Sequence, residues 1–153
     1  MGSLILPPSG SVYVDANSVI YAVEKIAPYR SFLAPLWPAA QAGQISIVTS
    51  ELTWLETLVK PMRDGNAALE LLFRAFLTAR EVRLVPATLP IWEHAARLRA
   101  LGLKTPDALH AATGLAVGCT LFLTNDAAFV RVPGLPVTVL SAADSRRPRP
   151  RTP

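Results

Sequence analysis

The sequence predicts an α/β protein, a three-layer α/β/α sandwich around a short, mainly parallel central sheet. Three observations carry that expectation. Apolar runs of three or four residues recur along the chain, separated by longer segments with helical periodicity. Their order is strand, helices, strand, helices, strand, helices, strand, strand, and helical crossovers between strands are how parallel neighbours are joined. The chain has 153 residues, 51% of them hydrophobic, which suits one domain with a real core.

The elements follow in order. Met1 to Gly10 reads as a loose lead-in. Val12, Tyr13 and Val14 form a buried strand that Asp15 ends, and a helix then opens at Asn17 and Ser18 and runs through Val23. Tyr29 to Ala42 has helical spacing, but Pro35 and Pro38 lie inside it. Each proline removes a donor and clashes one turn back, so a helix in two pieces is expected. Ile45, Ile47 and Val48 make a second strand, after which Thr49 or Ser50 can cap a helix from Glu51 to Met62. That helix is expected to bury Leu52, Leu55, Leu58 and Val59, with Pro61 weakening its end. Asp64, Gly65 and Asn66 form a turn. Ala67 to Ala79 is a helix with Leu69, Leu72, Phe73 and Phe76 on one stripe.

Val82, Leu84 and Val85 are a third strand closed by Pro86. Ile91, Ala95, Leu98 and Leu101 mark the next helix, and Gly102 stops it. Thr105 and Pro106 read as cap and first turn of a helix to Val117 composed almost wholly of small and apolar residues. Leu121 to Leu123 is a strand, followed by Thr124, Asn125 and Asp126. Pro133 and Gly134 turn the chain into a last strand, Val137 to Leu140. The chain is polar from Ser141, and residues 144–153 form an Arg/Pro-rich tail of disordered composition. The domain therefore spans 11–143.

Composition excludes several functions. The formal charge is +4, but Arg146, Arg147, Arg149 and Arg151 supply four positives and Asp144 one negative. The body without 144–153 keeps 11 basic and 10 acidic residues, so it has no broad electrostatic face for duplex. The tail is read as solubilising or without a role rather than as a phosphate binder. Charged residues are 17% of the chain, below the ~25% of an average domain. A surface this short of charge, with Trp37, Trp54 and Trp92 as exposed candidates, is compatible with covered faces. Cys119 is the one cysteine, which excludes an internal disulfide and a cysteine zinc cluster and fits a reducing cytoplasm. No run reaches the ~18 apolar residues of a spanning helix. The start lacks the basic region of a signal peptide.

The informative residues are four acids. Asp15 follows a buried strand, where open α/β sheets place ligands. Taken alone it is a helix cap, although Asn17 and Ser18 are also available for that role. Glu56 lies inside a helix beside its apolar positions, and a carboxylate there is costly unless paired or bound to a cation. Pairing with Lys60 four residues on is the structural alternative. Asp107 sits in a first turn that Thr105 already caps, in a helix with few other polar groups. His110, three residues on, can pair with it or face a groove, and reads as structural rather than ligating. Asp126 follows a strand with Thr124 and Asn125 beside it, as a polar Asx loop or as oxygen donors at the edge that carries Asp15.

If these acids converge, their repulsion raises their pKa values until a cation joins them. Oxygen-only donors suit Mg²⁺ or Mn²⁺ rather than zinc. A P-loop, a dinucleotide fingerprint and a serine elbow are all missing from the sequence.

Three stretches resemble the PIN domain family, most closely the VapC-type toxins of toxin–antitoxin pairs. They are VYVDANSVIYAVE with Asp15, IVTSELTWLETLVKP with Glu56, and TPDALHAATGLAVGCTLFLTNDAAF with Asp107 and Asp126. Each is weak alone, and their order, spacing and strand context make the match. The resemblance, over about Val12 to Leu140, implies a Mg²⁺- or Mn²⁺-dependent endoribonuclease in which Asp15, Glu56, Asp107 and Asp126 form the acidic, metal-holding quartet. It implies that Thr124 supports the last strand's acid, that Asn17 is a partner of Asp15, and that Ser50 orients the glutamate helix. Water attacks the RNA phosphodiester in line, leaving a 5′-phosphate and a 3′-hydroxyl. It further implies a homodimer and a small antitoxin that covers the acidic groove. Two alternatives remain at this point: a PIN-like nuclease of RNA processing or structured DNA outside a toxin system, and a non-catalytic RNA-binding protein.

Overall fold

The computed structural model describes residues 4–144. Met1 to Ser3 and the tail beyond Asp144 lie outside them. Five strands form one sheet: β1 (Ser11–Val14), β2 (Ser46–Ser50), β3 (Val82–Val85), β4 (Leu121–Thr124) and β5 (Val137–Val139). Their order is β3-β2-β1-β4-β5 and every pair is parallel. The helices are α1 (Ala16–Val23), α2 (Tyr29–Leu33), α3 (Leu36–Gln41), α4 (Leu52–Arg63), α5 (Ala67–Leu77), α6 (Leu89–Ala100), α7 (Thr105–Ala116) and α8 (Leu140–Asp144), with a short 3-10 helix at Ala127–Arg131. Among the described residues no helix is long and apolar enough to cross a membrane.

Strand alternation divides the core into two layers. Tyr13, Val48 and Phe122 point to one face and meet Ile91, Ala95 and Leu98 of α6 and Ala108, Ala111 and Ala112 of α7. Val12, Val14, Ile47 and Leu123 point to the other and meet Val19 of α1, Leu36 of α3 and Phe73 and Leu77 of α5. Each such fully buried Val, Leu or Phe stabilises by about 1.5–3 kcal/mol. The small residues of α7 let it lie close to the sheet. A Cβ on Gly114 would stand 2.9 Å from Cδ2 of Phe122, whose ring is itself held between Tyr13 and Phe129 at centroid distances of 4.7 and 4.9 Å.

The topology places the site. β1 lies at the centre, and the chain leaves it toward β2 and β3 before crossing back to β4 on its other side. The strand order reverses at β1, and a crevice opens at the carboxyl end of the strands where such a reversal occurs. Asp15 immediately follows β1 there.

Several expectations need correction in detail. The helix break between α2 and α3 falls at Ala34 and Pro35, as the prolines require. Pro61, in contrast, is accommodated inside α4, which runs on to Arg63. Leu55 is 63% exposed and Val59 45%, whereas Thr53, Thr57, Leu58 and Pro61 face the core. The threonines can turn inward because Thr53 and Thr49 share a 2.6 Å hydroxyl contact and Thr57 Oγ1 donates to the Thr53 carbonyl. Leu72 and Leu101 are exposed as well. Lys104, not Thr105, holds the N-cap position of α7, with no side-chain cap bond. Leu140 starts α8 instead of ending β5. In the lead-in, Leu4 and Leu6 pack against the second core layer, and Pro7 accepts from Gln44 Nε2. Trp37 and Trp54 are half-buried, Trp54 beneath the Arg74 guanidinium, so only Trp92 of the three is exposed.

Candidate active site

Asp15 is both a cap and a wall of the groove. Its Oδ1 accepts from the backbone N–H of Ser18 at 2.9 Å and from Ser18 Oγ at 2.8 Å. This is the N-cap bond of α1, the role Asp15 has when taken alone, and neither Asn17 nor Ser18 holds that position. Its Oδ2 accepts from Thr124 Oγ1 at 2.6 Å. The carboxylate is 6% exposed and lines the groove at the sheet edge. Asn17 also lines that groove but is exposed, and the partners of Asp15 are Ser18 and Thr124 instead.

Thr124 joins two of the acids. While donating to Asp15, its Oγ1 accepts from the Asp126 N–H at 3.0 Å. The hydroxyl orders the turn after β4 and holds the carboxylate after β1 at once. Asp126 then caps the 3-10 helix, its Oδ1 accepting from Ala128 N–H at 2.8 Å. It is exposed and stands beside the groove rather than in its lining. Asn125 is used elsewhere: it donates to Tyr21 Oη and accepts from Ser141 N–H, tying α1 to α8.

Glu56 faces the groove from α4. The Lys60 alternative does not hold, because Lys60 pairs with Asp64 at 3.1 Å. Glu56 Oε2 instead meets His110 Nε2 at 2.8 Å. Ser50 ends β2 and starts this helix: its Oγ accepts from Leu52 N–H at 3.1 Å. Glu51 is exposed and not part of the groove.

Asp107 enters from the first turn of α7. Its carboxyl is held above the ordinary 3.8, first by burial and then by the charge of Asp126; His110 pulls it back down, while Asp15 and Glu56 push it further up. The other three acids therefore all act on this one group. Asp15, Glu56 and Asp107 share a groove of about 290 Å³ with Ala16, Asn17, Ile20, Leu55, Val59, His110 and Phe129.

The donor set fits a hard divalent cation. The groove acids offer oxygen, and the Asp107 carboxyl, raised first by burial and then by the neighbouring acids, lies in a negative field that a cation would ease. Among the described residues no three His, Cys, Asp or Glu side chains form a ready-made ligand cluster. Asp15, Glu56 and Asp107 are the groove residues that could hold such a cation, with Asp126 at the rim.

Sequence reasoning missed the polar chain behind Glu56. Tyr13 reads as an ordinary strand residue, yet its Oη lies 2.6 Å from His110 Nδ1 and accepts from Ser50 N–H at 3.2 Å. His110 is 3% exposed. The available signal was a histidine in an otherwise apolar helix, since a buried imidazole requires partners.

The sequence profile of the PIN domain family matches residues 12–135. No curated protein sequence matches the chain. Solved structures do. VapBC2 from Rickettsia felis, bound to a DNA fragment from its promoter, superposes with a TM-score of 0.69 at 19% identity, covering 84% of this chain and 98% of that one. A toxin–antitoxin complex from Klebsiella pneumoniae gives 0.62 at 23% identity, over 84% and 97%. VapC20 of Mycobacterium tuberculosis, a sarcin-ricin loop cleaving toxin, gives 0.64 at 16% identity, over 78% and 92%. At these identities the likeness is one of fold.

Proposed function

We propose, from the premise that the chain belongs to the PIN domain family, that it is a Mg²⁺- or Mn²⁺-dependent endoribonuclease and the toxin of a toxin–antitoxin pair. The observation that carries this reading is the groove itself. Three separate elements bring Asp15, Glu56 and Asp107 to one crevice at the carboxyl end of the sheet, with Asp126 beside it. Asp15 and Asp126 also cap helices, but no cap requires four acids in one field, where their mutual repulsion opposes folding.

Each residue has a task in this reading. Asp15, held at both oxygens by Ser18 and Thr124, presents a fixed carboxylate. Glu56 and Asp107 face it from α4 and α7, and Asp126 adds negative charge at the rim. A divalent cation bound there supplies a lower pKa for the attacking water and charge stabilisation at the phosphodiester. By placing that cation, the acids would set where an RNA phosphate binds. In-line hydrolysis then leaves a 5′-phosphate and a 3′-hydroxyl.

The partners follow from the same reading. VapBC2 and the Klebsiella pneumoniae complex are toxin–antitoxin assemblies, which supports a small antitoxin that covers the acidic groove. The exposed Leu55 and Val59 on its lip offer such a partner apolar contact. A homodimer in the cytoplasm belongs to the same proposal.

The test is RNA cleavage by the wild type and by Asp15→Asn with Mg²⁺ or Mn²⁺. The variant should lose at least the ~10–100-fold that removing an outer hydrogen-bond partner of a metal site costs. Equal cleavage by both proteins, or none by either across several RNAs, contradicts the assignment.

A further inference from the structure

The geometry points to Tyr13 and His110 as positioning residues for Glu56: the imidazole holds the carboxylate in the groove through Nε2–H, and the phenol steadies the imidazole at Nδ1. This rests on reading Glu56 as a metal ligand.

The chain of bonds has one consistent direction. Ser50 N–H can only donate, so Tyr13 Oη accepts there, at 3.2 Å. At the other end the Glu56 carboxylate can only accept, so a neutral His110 turns Nε2–H to it and leaves Nδ1 to accept the phenol's hydrogen, 2.6 Å away. Burial, first of several causes, holds the Tyr13 phenol well above its ordinary range, so it keeps that hydrogen. With Nδ1 accepting, Nε2 is the protonated nitrogen and donates to Glu56 Oε2 at 2.8 Å. Reversing the tautomer would set a lone pair against a carboxylate oxygen.

The assembly is also mechanically fixed. Tyr13 is fully buried, and its ring stacks on Phe122 at 4.7 Å with planes 2° apart. His110 stands edge-on to it, 3% exposed, on α7. The links span β2, β1, α7 and α4, so Glu56 is tied to the sheet that carries Asp15. A free glutamate side chain would lose rotamer freedom on reaching one geometry, at a cost in entropy. The His110 bond meets part of that cost before a ligand arrives, as outer hydrogen bonds do for metal-binding carboxylates.

Two measurements on the full chain test this. Nitrogen-15 NMR of the metal-free protein reads the tautomer directly. The expected result is Nε2–H with a hydrogen-bonded, accepting Nδ1 in the wild type, and the same tautomer with Nδ1 shifted to a free acceptor in Tyr13→Phe, which keeps the ring on Phe122. Nδ1–H in the wild type, or an Nδ1 signal that does not move in Tyr13→Phe, overturns the assignment. The second measurement is Mn²⁺ binding, followed by the EPR signal of free Mn²⁺. His110→Phe should weaken it about 10–100-fold, Tyr13→Phe less, and His110→Gln, which keeps an N–H donor, should recover part of the loss. Should His110→Phe fail to fold, Tyr13→Phe and His110→Gln carry the comparison. Uptake by the wild type with unchanged affinity in the folded variants overturns the positioning role alone. Absence of uptake by the wild type overturns the metal reading with it.

Discussion

The hydroxyl of Thr124 donates to Oδ2 of Asp15 at 2.6 Å, across the two adjacent strands β4 and β1. The same oxygen accepts from the Asp126 N–H. One buried side chain thus sets the register between the acids at the ends of two strands. Thr124→Val keeps the volume and removes both bonds, leaving a buried carboxylate oxygen short of a donor. The expected cost is about 1–3 kcal/mol in denaturant unfolding, with RNA cleavage reduced further than stability alone explains. Thr124→Ser should restore most of both. Thr124→Val with full cleavage would separate Thr124 from the site.

Asp107 should make the metal-free protein less stable as pH rises. Its folded-state carboxyl lies above the ordinary 3.8, because of burial and then the neighbouring acids. The folded state therefore binds this proton more tightly than the unfolded state, and stability falls as pH climbs from 3.8 through the raised value. Asp107→Asn should melt higher than the wild type at neutral pH without metal. The difference should vanish below the ordinary carboxyl range and shrink when Mg²⁺ is added. A lower melting temperature for Asp107→Asn at neutral pH would show that the carboxylate is not repelled.

Gly114 allows α7 to approach the sheet. Its missing Cβ would meet Phe122 Cδ2 at 2.9 Å, and that ring cannot yield because Tyr13 and Phe129 flank it. Gly114→Ala should cost about 1–3 kcal/mol of strain, against the gain Ala usually brings to a helix interior. Thermal unfolding decides the sign, and a neutral or stabilising result would mean the layer is looser than these distances imply.

The strands and most helix boundaries were legible because each apolar run is short and sharply punctuated. Gly43, Gly65, Gly102 and Gly118 all adopt positive φ at the ends of elements, and the paired prolines divided α2 from α3 where expected. What the apolar pattern cannot report is which apolar face is covered. Leu55 and Val59 have the spacing of core residues, yet they line the open groove, while Thr53 and Thr57 turn inward and satisfy their hydroxyls locally.

The four acids could be named from their strand and helix positions. Their supports were less visible. Asp15 and Thr124 are 109 residues apart, and Glu56 and His110 are 54 apart; a hydrogen bond between such distant residues leaves no local signature. The partner assigned to Asp15 in sequence was Asn17, whereas Ser18, one residue further on, holds the bond because it lies over the cap.

Metal binding should be visible as stability. A ligand that binds only the folded state adds about 2.7 kcal/mol at one hundred times its dissociation constant. Mg²⁺ or Mn²⁺ should raise the melting temperature in a concentration-dependent way, EDTA should reverse the gain, and Asp15→Asn should show little of it. An equal rise in the variant would place the cation elsewhere.

The most direct test is anomalous diffraction from crystals of the wild-type protein soaked with Mn²⁺. The account predicts a manganese peak in the groove bounded by Asp15, Glu56 and Asp107, near the Asp126 rim. A peak at another site, or none in crystals of protein that cleaves RNA at the same Mn²⁺ concentration, would contradict it.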